Sequence, residues 1–160
     1  MTTPDISAFF PDDKTSEERL RALLAGRVAL ATALEEAGGV LLGAEAAGHL
    51  KVSRETLQNW HDKGQILALE AADGSAIYPV AQFERPSHDV SHPRPFKAIA
   101  EIRRVAGDWL AVDELIGLLT SRHDALADAA GRRTGFKAIA DGDAPRVVAM
   151  VRHVRTPADA

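Results

Sequence analysis

Residues 41–64, LLGAEAAGHLKVSRETLQNWHDKG, constrain this chain more than any other stretch. Ala46, Ala47 and Leu50 stand three and four positions apart, the spacing that gathers side chains on one face of a short helix over residues 44–50. Lys51 and Val52 then form a turn. Ser53 is an N-cap residue type whose hydroxyl accepts a free backbone N–H at the start of a second helix, residues 54–63, and Gly64 suits the left-handed position that ends it. Leu57 and Trp60 face the first helix. Arg54, Glu55, Gln58, Asn59 and Lys63 are left outside, where Arg suits guanine or phosphate and Asn and Gln suit adenine. This is the layout of a helix-turn-helix, with Ser53, Arg54, Thr56, Gln58, Asn59 and Lys63 as candidate DNA contacts.

Two short apolar runs follow, residues 66–70 and 76–78, on either side of Asp73-Gly74, a pair that supplies the positive φ angles of a tight hairpin turn. A hairpin directly after a recognition helix reads as a wing. The AxxL-x-VSRxTLxxWxxxGxI run is similar to the small winged helix-turn-helix modules of MerR-like and excisionase-like DNA-binding proteins. Lys51 departs from that pattern, because many such turns carry glycine there. Gly48 inside the first helix is a second departure. The charge of this region pulls the other way: residues 40–85 hold four Lys or Arg against six Asp or Glu, so nonspecific phosphate attraction is weak and a few placed cations must suffice. Ordinary core structure without DNA binding is the alternative.

At 160 residues the chain has room for one ordinary domain or two small ones. Much of its apolar content is alanine, which favours closely packed helices, so the expected fold class is mainly α: a small winged helix-turn-helix with one β-hairpin plus a C-terminal four-helix bundle. Residues 1–14, with two prolines and three aspartates, read as a loose arm. Thr15 has a glutamate three positions on, a capping box, and one helix is expected to run to about Ala37, where Gly38-Gly39 stop it. Leu20, Leu23, Leu24, Leu30 and Leu34 give it an apolar stripe that either packs on its own chain or pairs with its twin in a homodimer suited to two DNA half-sites.

Residues 40–83 form the winged unit, and a brief helical turn is expected near residues 79–83. Residues 84–95, ERPSHDVSHPRP, read as a linker and domain boundary. Beyond it, residues 96–155 carry four helical patterns. Phe96, Ile99, Ile102 and Val105 mark the first; Asp108 is expected to cap a second, residues 109–119, with Val112, Leu115, Ile116 and Leu119 inside. A polar loop is expected over residues 120–133, then a short helix capped by Thr134 with Phe136 and Ile139. Asp143 is expected to cap the last helix, with Val147, Val148, Val151 and Val154 inward.

The series WLAVDELIGLLTSRHDAL and GRRTGFKAIADGDAPRVVAMV resembles the toxin-binding domain of Xre/MbcA/ParS-type antitoxins. Trp109, Leu118, Leu119, Thr120, Ala125, Leu126, Gly131, Arg132, Thr134, Gly142 and Asp143 carry the match, which covers residues 95–154. Gly135 stands where that family usually has proline, and residues 127–130 lengthen the loop before Gly131. The resemblance implies an antitoxin that covers the active-site entrance of a RES-domain toxin, an enzyme consuming the ADP-ribose part of NAD, and that represses its own operon by binding operator DNA. It implies no catalytic role and no cofactor. Residues 94–155 hold eleven Lys or Arg against eight Asp or Glu, and Arg132, Arg133, Lys137, Arg146, Arg152 and Arg155 near the last two helices are candidates to meet toxin carboxylates. A solvated basic face is the plainer reading of the same arginines.

Other chemistry finds little footing. His49 and His61 fall on different helices and His88 and His92 in the linker, without a closing ligand set for a metal. His123-Asp124 reads as a loop-fixing pair, and Trp60 and Trp109 as core. No phosphate-binding glycine loop is present. The absence of cysteine excludes disulfides and thiolate metal sites and fits a cytoplasmic location; no apolar run approaches membrane-spanning length. A stand-alone regulator with a different C-terminal partner, and a protein-only adaptor, remain as alternatives to the antitoxin.

Overall fold

The structure is a computed structural model that describes residues 15–86 and 92–155. The expected arm, and the histidine and aspartate at positions 88 and 89, lie outside the described residues. The fold is mainly helical with small antiparallel sheets.

Thr15 opens α1 (Ser16–Leu23) with the anticipated capping box: its hydroxyl accepts from Glu18 N at 3.2 Å while Glu18 Oε2 accepts from Thr15 N at 3.0 Å. The expected single helix is in fact two. Ala25 and Gly26 take φ of 55° and 86°, which turns the chain before α2 (Val28–Glu36). The break lets the leucine stripe fold onto its own chain: Leu20, Leu24 and Leu34 are all buried.

The two glycines after α2 lead into β1 (Val40–Leu42), followed by α3 (Gly43–Leu50), α4 (Arg54–Asp62), β2 (Leu69–Glu70) and β3 (Ala76–Pro79). The strands form an antiparallel sheet in the order β1-β3-β2, with Leu41 opposite Tyr78 and Leu69 opposite Ile77. The hairpin was anticipated; its third strand, β1, was not. Asp73 and Gly74 do lie in the β2–β3 connection, which is longer than a two-residue turn and closes through Ala71 N to Ser75 O at 2.8 Å.

Alternation along these strands divides the interior. Val40 and Ile77 point into the main core, whereas Leu41 and Tyr78 point into a second, smaller core with Ala46, Ala47, Leu50, Leu57, Ile66 and Phe83. The sheet is thus a partition, with α3, α4, Ile66 and Phe83 on one face and the main core on the other.

After a 3-10 turn at Val80–Gln82, β4 (Phe83–Glu84) pairs with β5 (Arg94–Pro95), so the ends of the expected linker are clasped together. Four helices follow, α5 (Ala98–Ala106), α6 (Val112–Thr120), α7 (Gly135–Ala140) and α8 (Ala144–Arg155). The anticipated polar loop between α6 and α7 is instead a hairpin of β6 (Arg122–Asp128) and β7 (Gly131–Thr134). Asp108 does not cap α6, which starts three residues later than expected with Glu114 Oε1 accepting from Ala111 N at 3.3 Å. The main core runs unbroken from Leu20, Leu34 and Leu69 to Ile102, Ile116, Phe136 and Val151. Apolar packing therefore does not divide at residues 84–95.

Candidate nucleic-acid interface

The turn between α3 and α4 is built by one left-handed residue. Lys51 takes φ 55° and ψ 45°, and Val52 N reaches back to Ala47 O at 3.0 Å, the bond that closes a Schellman-type helix end. A lysine here carries roughly 1 kcal/mol of strain that glycine would not. Ser53 then caps α4 as its residue type suggests, accepting from Thr56 N at 3.0 Å and donating to Thr56 Oγ1 at 3.0 Å. At the far end Gly64, at φ 72°, lets Gln65 N close on Trp60 O at 2.8 Å.

Between these stops α4 is strongly two-sided. Leu57 is buried and Trp60 packs against the small core, so Arg54, Gln58, Asn59 and Lys63 all stand exposed on the other side, with Ser53 exposed and Thr56 half-buried at its start. These side chains are open to solvent, and the exposed carboxylates of Glu55 and Asp62 stand among them. One member of the sequence-derived contact set is bonded already, and a second lies close to the start of α3. Gln58 Nε2 donates to Asp62 Oδ1 at 2.8 Å, and Arg54 Nη2 lies 3.6 Å from where a Cβ on Gly43 would stand, at the start of α3. Behind them, burial pushes the Tyr78 hydroxyl above its ordinary pKa, and Arg54 opposes that shift. Burial also holds His49 below its ordinary pKa; its Nε2 is enclosed without a hydrogen-bond partner and its ring sits 6.2 Å from Phe83.

The C-terminal cations are arranged differently from expectation. Arg133, anticipated on a toxin-facing surface, is buried, and the reason is a dense set of acceptors: Nε donates to Leu126 O at 2.7 Å, Nη1 to Asp141 at 3.2 Å and Nη2 to Asp143 at 2.5 Å. Arg146 donates to Ala125 O at 2.8 Å, to Ala127 O at 3.0 Å and to Asp143 at 3.1 Å, tying α8 to the β6–β7 hairpin. Lys137 pairs with Asp141 at 2.9 Å. Arg132 and Arg152 are exposed, Arg132 lying 3.8 Å from Asp124; the side chain of Arg155 lies outside the described residues. Arg133 and Arg146 therefore hold the hairpin in place. Asp143 spends its carboxylate on the two arginines, and the expected cap role is not seen in its side-chain bonds.

His123 fixes the same region, its Nε2 donating to Leu118 O at 2.7 Å. Trp109, expected in the core, is 67 % exposed because the chain turns at Gly107 and α6 has not yet begun. Among the described residues no group of His, Asp or Glu is placed to hold a metal, and no helix is long and apolar enough to cross a membrane.

One feature beside α4 escaped the sequence reading. An open cleft of about 570 Å³ follows its C-terminal end, lined by Lys63, Lys97, Glu101, Arg103 and Arg104. Lys97, Glu101 and Arg104 repeat at helical spacing on the polar side of α5, a signal visible in sequence, but nothing local says that this side meets the end of α4. No protein-family model, no curated protein and no solved structure matches the chain.

Proposed function

We propose that this chain is a winged helix-turn-helix DNA-binding regulator that serves as the antitoxin and autorepressor of a toxin–antitoxin pair. The observation that carries the DNA-binding part is the two-sidedness of α4: its apolar residues close a small core while Arg54, Gln58, Asn59 and Lys63 are left in solvent, interspersed with Glu55 and Asp62. Such a helix, entered through a capped turn and followed by a hairpin, has the form of a recognition helix in a major groove. Arg54 would read guanine or phosphate and Asn59 adenine, with Gln58 exchanging Asp62 for a base edge. Two copies of the chain would place two such helices on a two-fold operator. Binding measured by anisotropy on the DNA upstream of the operon tests this, with Arg54→Ala/Asn59→Ala expected to abolish the preference for that DNA over unrelated duplex. Equal affinity of wild type and variant for both would remove α4 from the reading.

The antitoxin part rests on the resemblance of residues 95–154 and is tested by survival. The neighbouring reading frame, expected to encode a RES-domain toxin, should kill when expressed alone and be harmless together with this chain. Deleting residues 134–160 is a poor test, because it removes Phe136, Ile139, Val147 and Val151 from the main core. Surface substitutions at Trp109, Arg132 and Arg152 are the better probe. The internal pairing of Arg133, Lys137 and Arg146 favours a second reading, a regulator without a toxin, whose C-terminal half braces the DNA-binding unit. A neighbour that is harmless alone, or that kills regardless, selects it.

A further inference from the structure

We propose that α5 supplies a phosphate-binding extension of the DNA surface, with Lys97 and Arg104 carrying the duplex backbone past the end of α4. The inference rests on the DNA-binding reading above and deepens it: the C-terminal half would touch DNA directly.

Three observations support the assignment. First, the cleft joins the two helices physically. A Cβ on Gly64 would lie 3.3 Å from Arg103 Cγ, so the stem of Arg103 packs over the turn that ends α4, and Arg103 Nη1 is held by Gly107 O at 3.1 Å. Lys63, Lys97 and Arg104 are exposed around that joint. Second, these cations are unspent. Arg21, Arg27, Arg94, Arg132, Arg133, Lys137 and Arg146 all sit in ion pairs, whereas no ion pair among the described residues includes Arg54, Lys63, Lys97 or Arg104. Around the cleft, Lys63, Lys97, Arg103 and Arg104 outnumber Glu101, which gives it a local potential opposite to the chain's net charge of −4.

Third, Lys97 is placed against its own stability. It occupies the N-cap of α5, where the helix dipole disfavours a positive charge, and it makes no capping hydrogen bond. A phosphate beside it would pair with the ammonium and offset that unfavourable charge at the helix start. Lys97 and Arg104 are seven residues apart, so they stand on one side of α5 about 10 Å from each other along its axis. Glu101 lies between them and sets a limit on how tightly a polyanion is held.

The test is an anisotropy titration of the full chain with two labelled duplexes of equal length, one from upstream of the operon and one unrelated, across a series of salt concentrations. Lys97→Ala/Arg104→Ala is expected to weaken binding to both duplexes about tenfold and to flatten the log–log salt slope by about 2, one for each lost phosphate contact. Glu101→Gln should tighten both. Arg54→Ala/Asn59→Ala should instead erase the difference between the duplexes. Both α5 side chains are exposed and Lys97 opposes the helix dipole, so the double variant should melt no lower than wild type. Arg122→Ala/Arg152→Ala, exposed and outside the cleft, should keep the wild-type slope; an equal loss there overturns the assignment to this cleft. If wild type binds the upstream duplex and the α5 variant binds it with unchanged affinity and slope, the extension is refuted while the role of α4 stands. A wild-type chain that binds neither duplex removes both readings together.

Discussion

Gly135 and Leu119 meet at a separation that no other residue at position 135 can share: a Cβ there would lie 2.7 Å from Leu119 Cδ2 and 3.0 Å from Leu119 Cα. The Cδ2 could swing away, but the Cα belongs to the backbone of α6. Alanine at the start of α7 would ordinarily gain up to about 1 kcal/mol of helix propensity. Overpacking against backbone costs roughly 1–3 kcal/mol and wins. Gly135→Ala is therefore expected to lower stability by roughly 1–2 kcal/mol in urea unfolding, and proline, which carries the same Cβ, to do no better. An unchanged midpoint would mean that α6 and α7 separate freely, and that the glycine has no packing role.

The Arg133 cluster gives a pH prediction with a definite sign. Hydrogen bonds from Lys137 and then Arg133 hold Asp141 below the ordinary carboxylate value, and Arg133 chiefly holds Asp143 below it. A carboxyl lowered in the folded state adds stability above its unfolded pKa and loses it as pH falls through the folded one. Thermal midpoints should be steady near neutrality and decline below about pH 4. In Asp143→Asn the midpoint should be lower at neutral pH and its acid decline shallower. Parallel profiles for the two proteins would show that Asp143 titrates alike folded and unfolded.

What the sequence made legible is what is determined locally. The caps at Thr15, Ser53 and Thr134 each rest on a side chain and an amide three residues away, and the left-handed Gly64 on its own missing Cβ. The face of α4 followed from two apolar residues at helical spacing. The break at Ala25 and Gly26 was masked because the leucine stripe continues through it, so the lone glycine read as tolerated within one helix. The β6–β7 hairpin was hidden for a different reason: Leu126 is its single fully buried apolar residue, so no alternation betrays it. Arg133 looked like surface because its acceptors come from Leu126, Asp141 and Asp143, which only the tertiary fold brings together. The same holds for α5 beside α4, which no spacing within either helix records.

Lys51 offers a test of the α3–α4 turn itself. Its φ of 55° costs a non-glycine residue roughly 1 kcal/mol, and Lys51→Gly removes that cost while giving the unfolded chain more freedom. The two effects leave a net gain of about 0.5 kcal/mol in unfolding free energy. Lys51→Val should fall on the other side of wild type, since a β-branched residue is poorly suited to the left-handed region. A loss of stability with glycine would mean that the lysine side chain makes a stabilising contact that outweighs its strain.

Gln82 is the residue on which three segments converge. It is fully buried; its Oε1 accepts from Leu67 N at 2.6 Å, and its Nε2 donates to Leu67 O at 2.8 Å and to Pro79 O at 3.1 Å. Its own carbonyl accepts from Phe96 N at 3.1 Å, which joins the approach to α5 to the same point. The side-chain amide thus acts as a strand partner for Leu67 just beyond α4. Gln82→Leu keeps the volume but leaves the Leu67 N–H and two carbonyls without partners. Unmade buried bonds cost about 1–3 kcal/mol each, and partial relaxation toward solvent leaves an expected loss of roughly 3 kcal/mol in urea unfolding, at an unchanged m-value. Because the path from α4 to β2 is fixed at this amide, the same variant should also raise hydrogen exchange at residues 65–70. A variant as stable as wild type, with that exchange unaltered, would show that Leu67 finds its partners elsewhere and that Gln82 merely fills the space.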